Sequence, residues 1–430
     1  MPVSNPSREK AVLLSVSTAD RSEEEVDRSL AELELLLASL QIRTVGRYLQ
    51  RRAGGPTPTY LGEGRLAEVA AVTGGPGQRP RGPGNVEPTP HNSALIAVVD
   101  DELNPGVLRN LERALGVPVL DRTQVILQIF QARARSKEAL LQVELARIAY
   151  ELPRVRDDHA LGDREGGGGR ASRGASNVEL AKRRLRDRAA GIRAELEALG
   201  PLLVRQPRQE PFKVVLVGYT NAGKSSLMRR LTGSEVLVKD QLFATLTTTA
   251  RQLAPPAVPP IVLVDSVGFI DRLPHGLVAA FRSTLAEAQG AWLLLHVADA
   301  SDLHVERQIQ VTRETLAELG LAEAPSWLLL NKIDRVGDPR RAELLRAHPD
   351  AQLLSAFDNQ LLAQLRARID GYFDALLEER SFELLYPQRA VVAQFGDQVR
   401  IVEEEYGETL RLKVRALPHV LERLRIRLET

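Results

Sequence analysis

"FKVVLVGYTNAGKSSLMRRLTG", Phe212 to Gly233, passes from an apolar strand through a glycine loop into an amphipathic helix. Gly218 to Ser225 spell G-x-x-x-x-G-K-S, with Tyr219, Thr220, Asn221 and Ala222 in the variable positions. Gly218 and Gly223 let the backbone wrap phosphate oxygens, Lys224 reaches the β and γ phosphates, and the Ser225 hydroxyl is a magnesium ligand. A chance glycine loop lacks the flanking strand and helix, so the context selects a phosphate loop over an ordinary turn.

Two more apolar strands end in matching motifs. "PIVLVD", Pro260 to Asp265, runs through Ser266 and Val267 to Gly268 and completes D-x-x-G. Alone this motif is weak, but its position after the phosphate loop gives Asp265 a place on magnesium through water and the Gly268 amide a place at the γ phosphate. "LLLNKID", Leu328 to Asp334, supplies N-K-x-D with Ile333 in the variable position. The Asp334 carboxylate can accept from the N1 and N2 hydrogens of guanine, whereas adenine turns a lone pair toward it, so the base is guanine. Asn331 is expected to brace the loops and Lys332 to lie along the base. In "LLSAF", Leu353 to Phe357, the backbone of Ser355 and Ala356 can meet the guanine oxygen, with Phe357 beside them, although "SA" by itself carries little information. Between the first two motifs "DQLFATLTTTAR", Asp240 to Arg251, offers several threonines that could close the magnesium shell, or equally a β-strand. Motifs at successive strand ends make a parallel sheet with ligand at its C-terminal edge.

The remaining chain surrounds this domain. A length of 430 residues is too great for one ordinary domain, and 43% hydrophobic with 26% charged residues is a globular balance. There is no cysteine, which excludes disulfides, zinc ribbons and thiol nucleophiles. The apolar run Ala11 to Val16 is too short for a signal peptide or membrane span. A cytoplasmic protein is expected, soluble or at the periphery of membranes or ribosomes. Net charge is +1, so any nucleic-acid contact must be local.

The fold class is α/β. Residues 1–160 are expected to form an N-terminal α/β domain with a disordered Gly/Pro insertion at about 74–92. Residues 161–209 form a glycine-rich basic loop and helical linker, 210–379 the nucleotide domain with a parallel-type sheet, and 380–430 a small α/β domain whose hairpin turn is "EYGETL". Between Arg170 and Arg193 eight Lys or Arg face two acids, which suits a phosphate backbone or a solvated helix face. Aromatic residues are nearly absent there, which disfavours base stacking.

These motifs, together with "PTYLGEGRLAEV", "VVDDELNPGVLRNLE", "VLDRTQVILQIFQARARSKEALLQVELARIAYELPR" and "KRRLRDR", resemble the HflX family of P-loop GTPases over most of residues 10 to 380. "FATL" followed by "TTAR" is similar to the family's switch segment. The resemblance therefore points to Thr245 as the switch threonine and second magnesium ligand, and to Phe243, Ala244, Leu246 and Thr247 as its nucleotide-contacting neighbours. It implies catalytic parts for Lys224, Thr245 and Gly268. It also implies a GTP-hydrolysing, monomeric switch on the large (50S) ribosomal subunit, with a role in splitting or rescuing stalled ribosomes. Ribosomal RNA rather than DNA would then face Arg170, Arg173, Lys182, Arg183 and Arg184. Two stretches depart from the pattern. "GGGGRASRGASN" keeps Arg173 and Gly174 but has Ala175, Ser176 and Asn177 where Pro, Gly and Glu are usual. Thr247 and Thr248 replace an Asp-Pro pair.

Phe269 stands where many such GTPases carry a catalytic glutamine, and it cannot orient water. Intrinsic turnover is expected at or below roughly 10⁻⁴ to 10⁻³ per second. The ribosome, or potassium held by Asn221 as in related GTPases, is expected to complete the site. A P-loop kinase has no need of N-K-x-D, and a GTP-dependent scaffold would lack the basic surface.

Overall fold

The computed structural model describes residues 10–19, 21–52, 57–78, 95–134, 136–155, 170–203, 212–233, 249–271 and 290–429. The chain forms two compact units: the first holds the described residues up to Gly200 together with Asp271, and the second holds those from Pro201 to Ile270 and from 290 on.

The first unit contains β1 (Lys10–Ser17), α1 (Glu23–Ser39), β2 (Arg43–Arg51), α2 (Glu63–Thr73), β3 (Leu95–Val99), α3 (Pro105–Leu115), β4 (Val119–Asp121), α4 (Arg122–Arg133) and α5 (Lys137–Glu151). Its four strands are all parallel, in the order β2-β1-β3-β4. β1 and β3 are covered on both faces and are continuous apolar runs, as a central parallel strand requires. α1 starts at a reciprocal cap in which Ser22 Oγ accepts from Glu25 N–H and the Glu25 carboxylate accepts from Ser22 N–H. Its apolar stripe of Val26, Leu30, Leu33, Leu36 and Leu37 is buried.

Helix α6 (Arg170–Leu203) begins inside the stretch read as a loop from the sequence, because 170–176 holds one glycine among Arg, Ala and Ser. Ala189 and Ile192 of α6 pack against Leu141 and Ile148 of α5. The expected insertion lies outside the described residues from residue 79 on.

At the C-terminal ends of β1 and β3, Asp100 is fully buried and accepts hydrogen bonds from Arg21, from Ser29 Oγ at 2.9 Å and from Arg122 at 2.9 Å. Arg122 also pairs with Glu32.

The second unit holds β5 (Phe212–Gly218), α7 (Lys224–Thr232), β6 (Thr249–Gln252), β7 (Ile261–Asp265), β8 (Leu293–Asp299), α8 (Val305–Glu318), β9 (Ser326–Asn331), α9 (Asp338–Ala347), β10 (Gln352–Leu353) and α10 (Asn359–Asp374). The sheet order is β10-β9-β8-β5-β7-β6, parallel except for β6. The chain leaves β5 to build on one side and returns to build on the other. The ends of β5, β7 and β8 therefore frame a crevice of the kind where open α/β sheets bind ligands. β11 (Glu378–Leu384), α11 (Arg389–Gln394), β12 (Arg400–Tyr406), β13 (Leu410–Ala416) and α12 (Pro418–Glu429) follow, with an antiparallel sheet in the order β11-β13-β12. Asp374 at the end of α10 binds Arg400 of β12 and Arg415 of β13, the latter at 2.6 Å.

Because Asp100 compensates two buried arginines, Asp100→Ala is expected to destabilise the first unit by about 3–5 kcal/mol. A lowered urea midpoint measures this loss, and an unchanged midpoint would show that the arginines find other partners.

Candidate functional site

The phosphate loop hangs from β5 and opens α7. Gly223 has φ +96°, and a Cβ there would stand 2.3 Å from Asn331 Nδ2, so both backbone and space require glycine. That amide donates to Ala222 O at 2.8 Å, which ties the end of β9 to the loop across the mouth of β8 and β5. Asn221 takes a left-handed conformation, φ +60°, which asparagine tolerates better than most residues, and it is exposed.

Lys224 is buried. Its Nζ donates to Gly218 O at 2.9 Å and to Tyr219 O at 2.8 Å, and a Cβ at Gly268 would come within 3.0 Å of it. Burial pushes the ammonium down to about 8, partly opposed by the Asp265 carboxylate. Ser225 Oγ donates to Asp265 Oδ2 at 2.7 Å, so the α7 hydroxyl and the β7 carboxylate share one corner beside the loop. Ser266, between the β7 carboxylate and Gly268, turns its hydroxyl inward to Leu216 O at 2.6 Å.

Phe269 is a packing residue with a structural backbone. Its side chain is 2% exposed. Its N–H donates to Gly218 O at 3.0 Å, and its carbonyl accepts from Thr220 N–H at 2.7 Å, forming a bridge between the strand ends.

At the other end of the crevice, Asp334 lies in the turn after β9, and its Oδ1 accepts from Ser355 Oγ at 2.6 Å. Ser355 Oγ also accepts from Phe357 N–H at 3.2 Å. Asp334, Ser355 and Phe357 line one cavity of about 630 Å³, with the Phe357 ring 71% exposed beside it. Lys332 has φ +59°, and its Nζ is held by Asp299 Oδ2 at 2.7 Å. Two contributors were missed from the sequence: Asp299, which fixes Lys332, and the Ser355 hydroxyl, which orients Asp334. Asp299 ends an apolar strand, the one signal that could have flagged it. The expected switch residues Phe243, Ala244, Thr245, Leu246 and Thr247 lie outside the described residues.

The arrangement offers buried donors and a lysine for phosphate at one end, a carboxylate for a base edge at the other, and a hydroxyl–carboxylate pair between them. The description "50S ribosome-binding GTPase" fits residues 213–332, "GTP-binding GTPase Middle Region" fits 133–201, and "GTP-binding GTPase N-terminal" fits 27–131. The chain is 45% identical to the GTPase HflX of Gluconacetobacter diazotrophicus over 439 residues, covering 96% of this chain and 97% of the relative. It is 37% identical to the GTPase HflX of Escherichia coli over 416 residues, covering 93% and 91%. A solved GTP-binding protein from Sulfolobus solfataricus in complex with GDP is 26% identical and covers 84% of this chain and 98% of its own, with a TM-score of 0.41.

A phosphate ligand favours the charged form of Lys224, so nucleotide affinity should fall as pH rises above about 8, by up to roughly tenfold per unit. Titration of a fluorescent GDP analogue from pH 7 to about 9, below the range in which guanine loses the N1 hydrogen that Asp334 needs, measures the slope. Lys224→Arg, always charged, should bind more weakly overall but with a flat profile. A flat profile in the unaltered protein would refute the linkage.

Proposed function

The chain belongs to the HflX family of GTPases, and on that premise we propose that its GTP cycle acts on the large ribosomal subunit, in the splitting or rescue of stalled ribosomes. The observation that carries this proposal is the fit of residues 213–332 to the description "50S ribosome-binding GTPase", alongside full-length kinship to HflX proteins. The exposed charge on α6 supports it. Arg186 pairs with Glu179 and Arg188 with Glu144, while Arg183 reaches Asp187 only at 4.0 Å. Lys182, Arg183 and Arg184 therefore keep charge available for ribosomal RNA. Arg170 and Arg173 belong to the same helix.

At the nucleotide, Lys224 holds the β and γ phosphates and the Gly268 amide meets the γ phosphate. Asp334 accepts from guanine, and the backbone of Ser355 and Ala356 meets the guanine oxygen. Magnesium suits the corner between α7 and β7, where an alcohol oxygen and a carboxylate oxygen stand 2.7 Å apart. Ser225 would ligate it, Asp265 would hold it through water, and Thr245 would close the shell. The ion's contribution is to neutralise charge on the β and γ phosphates. Phe269 is spent on packing, so the attacking water is ordered from outside the chain, by the ribosome or by potassium beside Asn221.

GTP turnover with purified large subunits in potassium buffer should exceed the basal rate by roughly tenfold or more, and the rise should vanish in Lys224→Ala. Exchanging potassium for sodium tests Asn221: equal rates would remove the cation and leave the ribosome. No rise with subunits, despite tight GTP binding, would overturn the ribosomal role. Replacing Lys182, Arg183 and Arg184 by glutamine should weaken cosedimentation with the subunit and flatten its log–log salt dependence by about 2 to 3. An unchanged salt slope would place the RNA contact elsewhere.

A further inference from the structure

The chain that follows the D-x-x-G motif passes into the first unit almost at once. Gly268, Phe269 and Ile270 belong to the nucleotide-binding unit, and Asp271 belongs to the first. Three residues span at most about 11 Å, so little slack separates the two ends of this stretch.

The nucleotide end is fixed by backbone. Phe269 N–H donates to Gly218 O and Phe269 O accepts from Thr220 N–H, while Phe269 and Ile270 are both buried. A Cβ on Gly268 would stand 2.9 Å from Thr220 Cα, so the main chain there lies directly against the phosphate loop.

The other end is fixed by a side chain. Arg122 Nη2 donates to the Asp271 carbonyl at 3.2 Å, across 149 residues of sequence. This guanidinium is 3% exposed and is itself held in place. Its Nη1 donates to Asp100 Oδ1 at 2.9 Å and to Ser29 Oγ at 3.4 Å, and its Nη2 also pairs with Glu32. Ser29 and Glu32 lie on α1, Asp100 follows β3, and Arg122 begins α4. Three elements of the first unit therefore hold one carbonyl of the stretch. A charged donor makes the stronger class of hydrogen bond, and a fork with two nitrogens can serve the ionic knot and the carbonyl together.

We propose that Arg122 is a positioning residue for the γ phosphate: it fixes the far end of the stretch that carries the Gly268 amide, so that a bound triphosphate and the buried ionic knot stabilise one another. This rests on the reading that places the γ phosphate at Gly268. Coupling between two binding equilibria is reciprocal. Loosening the hold on Asp271 weakens triphosphate binding, and the triphosphate in turn slows opening of the knot. A diphosphate has no γ oxygen to meet the amide and is indifferent to both.

The test compares affinities of the full chain for fluorescent GDP and for fluorescent GppNHp, a non-hydrolysable GTP analogue. Arg122→Lys keeps a positive charge beside Asp100 and loses the second nitrogen. It should weaken GppNHp by about fivefold to tenfold and leave GDP unchanged. Glu32→Gln, which disturbs the knot and spares the Asp271 bond, should lower the urea midpoint but keep the ratio of the two affinities. An unchanged ratio in Arg122→Lys, or an equal shift in Glu32→Gln, would overturn the proposal. Gly268→Ala examines the premise separately: if the ratio survives that change, the γ phosphate lies elsewhere, and the proposal falls with the reading beneath it. Amide hydrogen exchange in the unaltered protein gives a readout that needs no variant to fold. Exchange along α1 and at the start of α4 should be slower with GppNHp than with GDP, and equal rates would refute the coupling.

Discussion

The bridge between Phe269 and the phosphate loop sets the geometry on which the nucleotide end of the molecule depends. Two backbone hydrogen bonds fasten the segment after β7 to the end of β5. They bring Gly268 against Lys224 and leave the Asp265 carboxylate opposite Ser225. Backbone bonds of this kind are indifferent to side-chain identity, which frees position 269 to be apolar. The ring itself is buried, and Lys224 beside Gly268 is buried as well, which is what pushes its ammonium down. The clamp and the absence of a water-orienting group thus come from the same residue.

Much of the fold was legible in the sequence because its signals are steric and local. The 212–232 strand–loop–helix is dictated by glycine positions and apolar periodicity, and β1, α1, β3, α4 and α5 follow from continuous or helical apolar patterns. The edges were harder to read. β2, "RTVGRYLQR", is rich in arginine and only half buried, whereas the strand end expected at Leu353 is met by β10, of two residues. No pattern marks a strand such as β2, since pairing with β1 makes it. In the site, the motif residues stood out by spacing, but the Asp299–Lys332 and Ser355–Asp334 pairs did not. Their partners are 33 and 21 residues apart, and only the parallel order of β8, β9 and β10 brings them to one edge.

The first unit shows the same separation of what pattern encodes from what topology assembles. Asp100 and Arg122 each end or begin an apolar element and could be read as surface caps. The sheet order β2-β1-β3-β4 instead places them with Arg21 and Ser29 in a buried ionic knot. Such a knot specifies which helix lies over which strand more sharply than apolar packing does, because only one arrangement satisfies every charge.

The bond from Asn331 to Ala222 carries a further consequence. It joins the segment that carries Asp334 to the loop that carries Lys224, so the two ends of the crevice form one rigid caliper. A caliper measures length as well as chemistry. A nucleotide whose base-to-phosphate span is wrong cannot fill both jaws, however well either end fits alone.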